Sequence, residues 1–209
     1  MTIKKLIVGS MRSNCYIVSD QSEALIIDPG DDADYIIRTI EEQELTPKAI
    51  IATHGHFDHV LAALELKLAY AIPFYMHKAD EFLLKRMASS ARHFINYDPG
   101  PPPEVDIYLK DNSILKINNF KFKIISSPGH TPGSVCLYFK KEKALFVGDL
   151  IFADGTFGRT DHIYSNKEEL ARSVAKIMKF PRNTIVYPGH GEEFTLHRKT
   201  SPQEKPRLS

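Results

Sequence analysis

The run Thr53-His54-Gly55-His56-Phe57-Asp58-His59 constrains this chain more than any other stretch. It sets three histidines and an aspartate within six residues, directly behind the apolar run Ala49-Ile50-Ile51-Ala52. Imidazole and carboxylate are the usual side-chain ligands of zinc and other borderline divalent metals. A short isoleucine-rich run reads as a buried strand, and the residues from Val60 to Tyr70 read as a helix. The cluster therefore falls where a strand ends and a helix begins, a position that carries chemistry in many α/β folds. A polar loop that gathered histidines by chance is the plain alternative, and nine histidines in 209 residues make it a poor one.

Length and charge narrow the function classes. A chain of 209 residues supports one substantial α/β core, or two small ones. Its formal net charge of +1, with acids and bases spread along the sequence, removes the main cue for a nucleic-acid or membrane-surface partner. Cys15 and Cys136 each lie inside an apolar run, which reads as two buried thiols in a reducing cytoplasm rather than a disulfide framework. Leu6-Ile7-Val8 behind Lys4 and Lys5 is too short for a signal-peptide core. No later segment approaches the roughly 18 to 20 apolar residues that span a bilayer. The expectation is a soluble, cytoplasmic protein.

The periodicity predicts alternating strands and helices. Leu6–Val8, Cys15–Val18 and Ala24–Ile27 read as strands, the last closed by the turn Asp28-Pro29-Gly30. A helix follows, capped at Asp31 or Asp32, with Ile36, Ile37 and Ile40 on one face. In the helix after the histidine cluster, Val60, Leu64 and Leu68 recur as a core-facing stripe. Ile72–Met76 reads as a strand, and Lys78 to about Ala91 as one helix with Phe82, Leu83 and Met87 on its apolar side. Tyr97-Asp98-Pro99-Gly100-Pro101-Pro102-Pro103 suits neither helix nor central strand and reads as a long surface loop rather than a domain boundary. Beyond it, Ile114–Ile117, Phe120–Ile125, Ser134–Phe139 and Ala144–Val147 suit strands. Ser165 and Glu168 form a capping-box pattern for a helix whose buried stripe is Leu170, Val174, Ile177 and Met178; Pro181 ends it, and Ile185–Tyr187 is the final strand. The tail at 200–209 reads as frayed.

Three further loops place a potential metal ligand beside glycine and an apolar strand: Ser127-Pro128-Gly129-His130-Thr131-Pro132-Gly133, Phe146-Val147-Gly148-Asp149 and Tyr187-Pro188-Gly189-His190-Gly191. With His-x-His-x-Asp-His, and in this order, they make the chain resemble the metallo-β-lactamase fold superfamily, and within it the short, single-domain glyoxalase II-like (hydroxyacylglutathione hydrolase-like) hydrolases. The similarity runs from Ser13-Asn14-Cys15-Tyr16 and Ile27-Asp28-Pro29-Gly30 to Pro188-Gly189-His190-Gly191. It implies an α/β (α+β) protein built as a four-layer αβ/βα sandwich, one domain over 1–199, with the metal loops gathered along one edge.

Carried over residue by residue, the resemblance gives His54, His56 and His130 to one metal, Asp58, His59 and His190 to a second, and Asp149 to both. Seven ligands exceed one tetrahedral zinc and suit two ions sharing a carboxylate. Such pairs lie about 3.5–4 Å apart and generate a hydroxide nucleophile by lowering the pKa of bound water from about 15.7 toward about 7. The implied reaction is hydrolysis of a small-molecule thioester, possibly glutathione-linked, by a metal-bridging hydroxide, with Asp58 counted as catalytic as well as metal-binding. Zinc is the leading expectation for the two divalent ions, and iron or manganese suits the same ligands. Asp28 reads either as the structural acid of its turn or as a carboxylate orienting a ligand histidine. Arg159, in Gly158-Arg159-Thr160-Asp161, is the candidate substrate-binding residue, with a structural loop ion pair as its other reading. His77, His93, His162 and His197 match no ligand position and read as surface or loop residues. Two rival readings remain: a persulfide dioxygenase holding one iron through His54, His130 and Asp149, and a metal-dependent nuclease of the same fold. Against the nuclease, the sequence shows neither the basic accessory domain nor the clustered Lys/Arg surface such enzymes usually add, and its charge is near neutral.

Overall fold

A computed structural model of the protein describes residues 1–196. His197 and the tail at 200–209 lie outside the described residues.

Two six-stranded sheets face one another. The first contains β1 (Thr2–Val8), β2 (Ser13–Asp20), β3 (Glu23–Ile27), β4 (Thr46–Ile51), β5 (Phe74–His77) and β6 (Ile107–Leu109), in that spatial order. Its first three strands pair antiparallel and the rest parallel. The second contains β7 (Ile114–Ile117), β8 (Phe120–Ser126), β9 (Val135–Phe139), β10 (Ala144–Gly148), β11 (Ile185–Pro188) and β12 (Phe194–Thr195), again side by side in sequence order. There β10 and β11 are parallel, linked through α5 (Lys167–Ile177).

The apolar runs that read as strands are nearly continuous because both faces of each sheet are covered. Successive residues point to opposite faces, so Leu25, Ile27, Ala49 and Ile51 meet Phe122, Ile124, Leu137, Phe139 and Phe146 between the sheets. The alternate residues Ile17, Ile26 and Ile50 face outward onto Ile36 and Ile40 of α1 (Ala33–Glu42) and Leu66 of α2 (Ala63–Tyr70). On the far side Ile125, Cys136, Leu145 and Val147 pack against Leu170 and Ile177 of α5. This is the expected αβ/βα sandwich. Cys15 and Cys136 sit in opposite outer layers, both free and buried, and burial pushes the Cys136 thiol up to about 12.

Several local expectations need correction. The segment from Val60 to Tyr70 is not one helix: a 3₁₀ turn at Phe57–His59 precedes α2, which begins only at Ala63. The late start rotates the stripe to Val60, Ala63 and Leu66, leaving Leu64 half-buried and Leu68 72% exposed. The helix expected from Lys78 is a 3₁₀ turn at Lys78–Asp80, then α3 (Glu81–Lys85) and α4 (Met87–Ile95), broken at Arg86, whose amide bonds the Leu83 carbonyl. Asp32 precedes α1 in the left-handed region and accepts from Gly9 N instead of capping the helix with its side chain.

At α5 the cap is Asn166, not Ser165. Asn166 Oδ1 accepts from the amides of Glu168 and Glu169, both at 3.0 Å. The inward stripe is Leu170, Ser173 and Ile177, while Met178 is 38% exposed. Asn166→Ala removes both bonds and is expected to cost about 1 kcal/mol in chemical denaturation, whereas Ser165→Ala should leave this cap intact. The proline-rich segment is a loop between α4 and β6, as its composition implied. Among the described residues no helix is long and apolar enough to cross a membrane.

Candidate metal centre

Each group the sequence singled out follows the end of a strand. Asp28 follows β3, the His54–His59 run follows β4, Asp149 follows β10 and His190 follows β11. His130 lies in the connection from β8 to β9. The parallel strands of both sheets thus deliver their C-terminal loops to one edge.

Asp28 joins two of these loops. It is buried with a φ of 51°, a conformation that aspartate tolerates better than most residues. Its carboxylate accepts from Thr53 N at 2.7 Å and from Thr53 Oγ1 at 2.8 Å, and also lies 3.4 Å from His59 Nδ1. Its backbone carbonyl accepts from Gly30 N at 2.8 Å within the turn, while its side chain holds Thr53 and faces the His59 ring.

Hydrogen-bond accounting assigns the tautomers on the His54, His56 and His130 side. Thr53 Oγ1 gives its proton to Asp28 and is left to accept from His54 Nδ1 at 3.1 Å, so His54 Nε2 is the bare nitrogen. His130 Nδ1 donates to the Arg159 carbonyl at 2.9 Å, which leaves Nε2 bare. His56 Nε2, 2.9 Å from the Tyr164 hydroxyl, carries its proton when Nδ1 is the inward nitrogen. His56 Nδ1 and His130 Nε2 then face one another 3.0 Å apart with lone pairs that only a proton or a cation can reconcile. Burial first, then the neighbouring imidazoles, holds His54 and His56 well below the usual histidine range, which disfavours the proton.

The other side is acidic. His190 Nε2 lies 3.3 Å from Asp58 Oδ2, and His59 Nε2 lies 3.6 Å from the same oxygen. Burial would raise the Asp58 carboxyl, but the charges of His59 and His190 outweigh it and hold it well below the usual carboxylate range. His59 moves the other way: burial opposes its charge, yet Asp58, Asp149 and Asp28 together raise it to about 10. Ser13 Oγ donates to Asp58 at 3.0 Å, and the Arg12 carbonyl faces His190 Nδ1 at 3.3 Å.

Asp149 stands between the halves. Its Oδ2 is 3.6 Å from His130 Nε2 and 3.6 Å from His190 Nε2, and its Oδ1 is 3.5 Å from His59 Nε2. Donor atoms of His54, His56 and His130, of His54, His59 and Asp149, and of Asp58, His59 and His190 form groups that lie within 4.8 Å of one another. All the residues expected at the centre are thereby brought together. Among the described residues, His54 Nε2, His59 Nε2 and Asp149 Oδ1 are buried with no hydrogen-bond partner. Buried polar atoms are seldom left so. Their convergence with an imidazole–carboxylate donor set fits divalent metal ions.

Arg159 behaves differently from a free cation. Its guanidinium makes a bidentate pair with Asp161, Nε to Oδ1 at 3.0 Å and Nη2 to Oδ2 at 2.6 Å, and its contribution to the centre is the carbonyl that holds His130. Sequence reasoning missed Tyr164, which reaches His56 across 108 residues. It also set aside His162, which stacks on Tyr164 with centroids 5.1 Å apart and lies 5.6 Å from the His56 ring. Nothing in local spacing marks either one. Thr53 was legible only as the residue leading into the motif.

The family model described as the metallo-beta-lactamase superfamily matches residues 8–190. The hydroxyacylglutathione hydrolase GloC of Haemophilus influenzae is 34% identical over 94% of this chain and 93% of its own. Among solved structures, the BLEG-1 B3 metallo-beta-lactamase superposes with a TM-score of 0.88 at 34% identity, covering 94% of this chain and 95% of its own. The protein TTHA1623, solved in a di-iron-bound form, superposes with a TM-score of 0.87 at 33% identity over 95% and 98% of the two chains. With the matched model spanning most of the sequence and the sandwich and its edge cluster in place, the chain belongs to the metallo-beta-lactamase superfamily.

Proposed function

We propose that this protein is a binuclear metal-dependent thioester hydrolase of the glyoxalase II type. The observation that carries the reading is the Asp149 carboxylate, with one oxygen 3.6 Å from a histidine of each half. A single-metal centre built on His54, His130 and Asp149 gives no role to Asp58, His59 and His190, whose donor atoms converge equally well. The thioester class is supported by the similarity to GloC.

In this reading His54, His56 and His130 would hold one ion and Asp58, His59 and His190 the other, with Asp149 available to both. Zinc is the first choice, and iron is compatible with the same donors. Bound ions would supply a water deprotonated near neutral pH and a Lewis acid for the acyl oxygen. The chain's own residues do the rest. Asp28 and Thr53 fix the rings of His59 and His54 through the 3.4 Å and 3.1 Å contacts. Asp58, ionised and held by Ser13, accepts a hydrogen bond from the attacking water and orients it. Water adds to the acyl carbon, the carbon–sulfur bond breaks, and the products are a carboxylic acid and a thiol.

The test is a panel of S-D-lactoylglutathione, an N-acetylcysteamine thioester and a β-lactam, assayed with protein loaded with zinc or iron. Release of free thiol from the thioesters, abolished by chelation and restored by metal, is the expected result. Oxygen uptake on glutathione persulfide without thioester turnover would overturn the reading, as would lactam turnover that exceeds both thioesters.

A further inference from the structure

Asp80 is buried and far in sequence from the groups its carboxylate binds, which belong to both histidine loops of one half of the centre. Oδ2 accepts from Gly55 N at 2.9 Å and from Thr131 Oγ1 at 2.6 Å; Oδ1 accepts from Gly133 N at 2.6 Å. Gly55 lies between His54 and His56, and Thr131 follows His130. Thr131 Oγ1 also meets Ser134 Oγ at 2.7 Å, which closes the His130 loop on itself. The approach is close enough to dictate glycine on both sides. A Cβ on Gly55 would lie 2.9 Å from Asp80 Cβ, and one on Gly133 would lie 2.6 Å from Asp80 Cγ. The opposite half is braced by other groups: Ser13 on Asp58, Asp28 beside His59, and Asn14 N donating to the Gly189 carbonyl at 2.7 Å.

We propose that Asp80 is a positioning residue of the His54–His56–His130 half: beside Thr53, whose carbonyl accepts from Val135 N at 2.9 Å, it clamps the loop after β4 to the loop before β9 and so helps set the spacing of the three inward nitrogens. This rests on the metal-centre reading above. Asp80 acts through backbone amides and a hydroxyl rather than on the imidazoles, so its loss should loosen one half of the site and spare the other. Asparagine at this position offers one acceptor oxygen in place of two and turns an amide NH₂ toward an N–H or O–H donor. Outer partners of metal ligands typically change affinity on the order of 10–100-fold when removed.

The experiment is zinc titration of wild type, Asp80→Asn and Thr131→Val, with thermal melts. Crystals at graded zinc then give the occupancy beside His56 and His130, and beside Asp58 and His190, from anomalous scattering. The expected result for Asp80→Asn is a loss of about 10–100-fold in affinity at the tri-histidine position, with the other position changed less than about threefold. Thr131→Val, which removes one of the three bonds and keeps the side-chain shape, should shift the same position by less. Unchanged affinity at the tri-histidine position in Asp80→Asn overturns the proposal, as does an equal loss at both positions, the signature of a general structural role. If Asp80→Asn does not fold, Thr131→Val decides by the same criterion. A wild type that binds one ion only would overturn the binuclear reading, while selective weakening of that ion by Asp80→Asn would still uphold the clamp.

Discussion

Replacing Asp149 with alanine is expected to leave a folded protein that retains at most one metal per chain. Thioester turnover should fall by more than about 10³-fold, beyond the cost of deleting a single oxyanion donor. The two carboxylate oxygens lie 3.5–3.6 Å from His59, His130 and His190, so their removal takes a donor from both halves at once. Asp149 Oδ1 has no hydrogen-bond partner among the described residues, so little of the scaffold rests on it. Circular dichroism and the melting transition should therefore stay close to wild type while elemental analysis falls. Asp149→Asn separates charge from shape: it keeps the side-chain outline, and metal loss there would show that the anionic carboxylate is what the centre requires. If Asp149→Ala retained the wild-type metal content, the site assignment would be wrong.

Gly189→Ala, one methyl group, should be nearly as damaging to function. A Cβ at this position would run into Asp149 Oδ1 and lie 2.7 Å from His59 Cε1. The backbone has little room to yield, because Gly189 N donates to the Gly148 carbonyl at 2.8 Å and its own carbonyl accepts from Asn14 N at 2.7 Å. The movable atoms are then those of the centre itself. Overpacking of this kind costs about 1–3 kcal/mol in stability. The functional loss should be much larger than that cost implies, since Asp149 and His59 are displaced together. Reduced metal content with a preserved fold is the expected result, read by elemental analysis and denaturation on the same preparation. A variant with full metal content and wild-type turnover would show that Asp149 is not held where the structure places it.

The contrast between these side chains and their surroundings explains what the amino-acid sequence could show. His54, His56, Asp58, His59, Asp149 and His190 were legible because each follows an apolar run, and a strand end fixes where the next few side chains emerge. The four layers were implied by the family resemblance, and runs such as Ala49–Ile51 and Leu145–Val147, apolar on both alternations, agree with it because they require cover on both faces. Helix phase was not. Leu64 and Leu68 fit a periodic stripe as well as Ala63 and Leu66 do, and the 3₁₀ turn that decides between them is a tertiary matter. The Ser165 cap failed for a related reason. Its hydroxyl donates to the His130 carbonyl at 2.7 Å, so the residue that looks like a cap supports the centre and Asn166 takes the helix. Tyr164 and Asp80 act across long sequence separations on atoms that no local pattern marks, and only the folded chain reveals them.

If the edge of this sandwich is one two-metal centre joined by Asp149, the metal content of the wild-type protein will report it, after purification without added metal and saturation with zinc or iron. Two equivalents per chain, both lost on chelation together with thioester turnover, is the predicted result. One equivalent at saturation, with Asp58→Ala and His190→Ala leaving that ion in place, would contradict it.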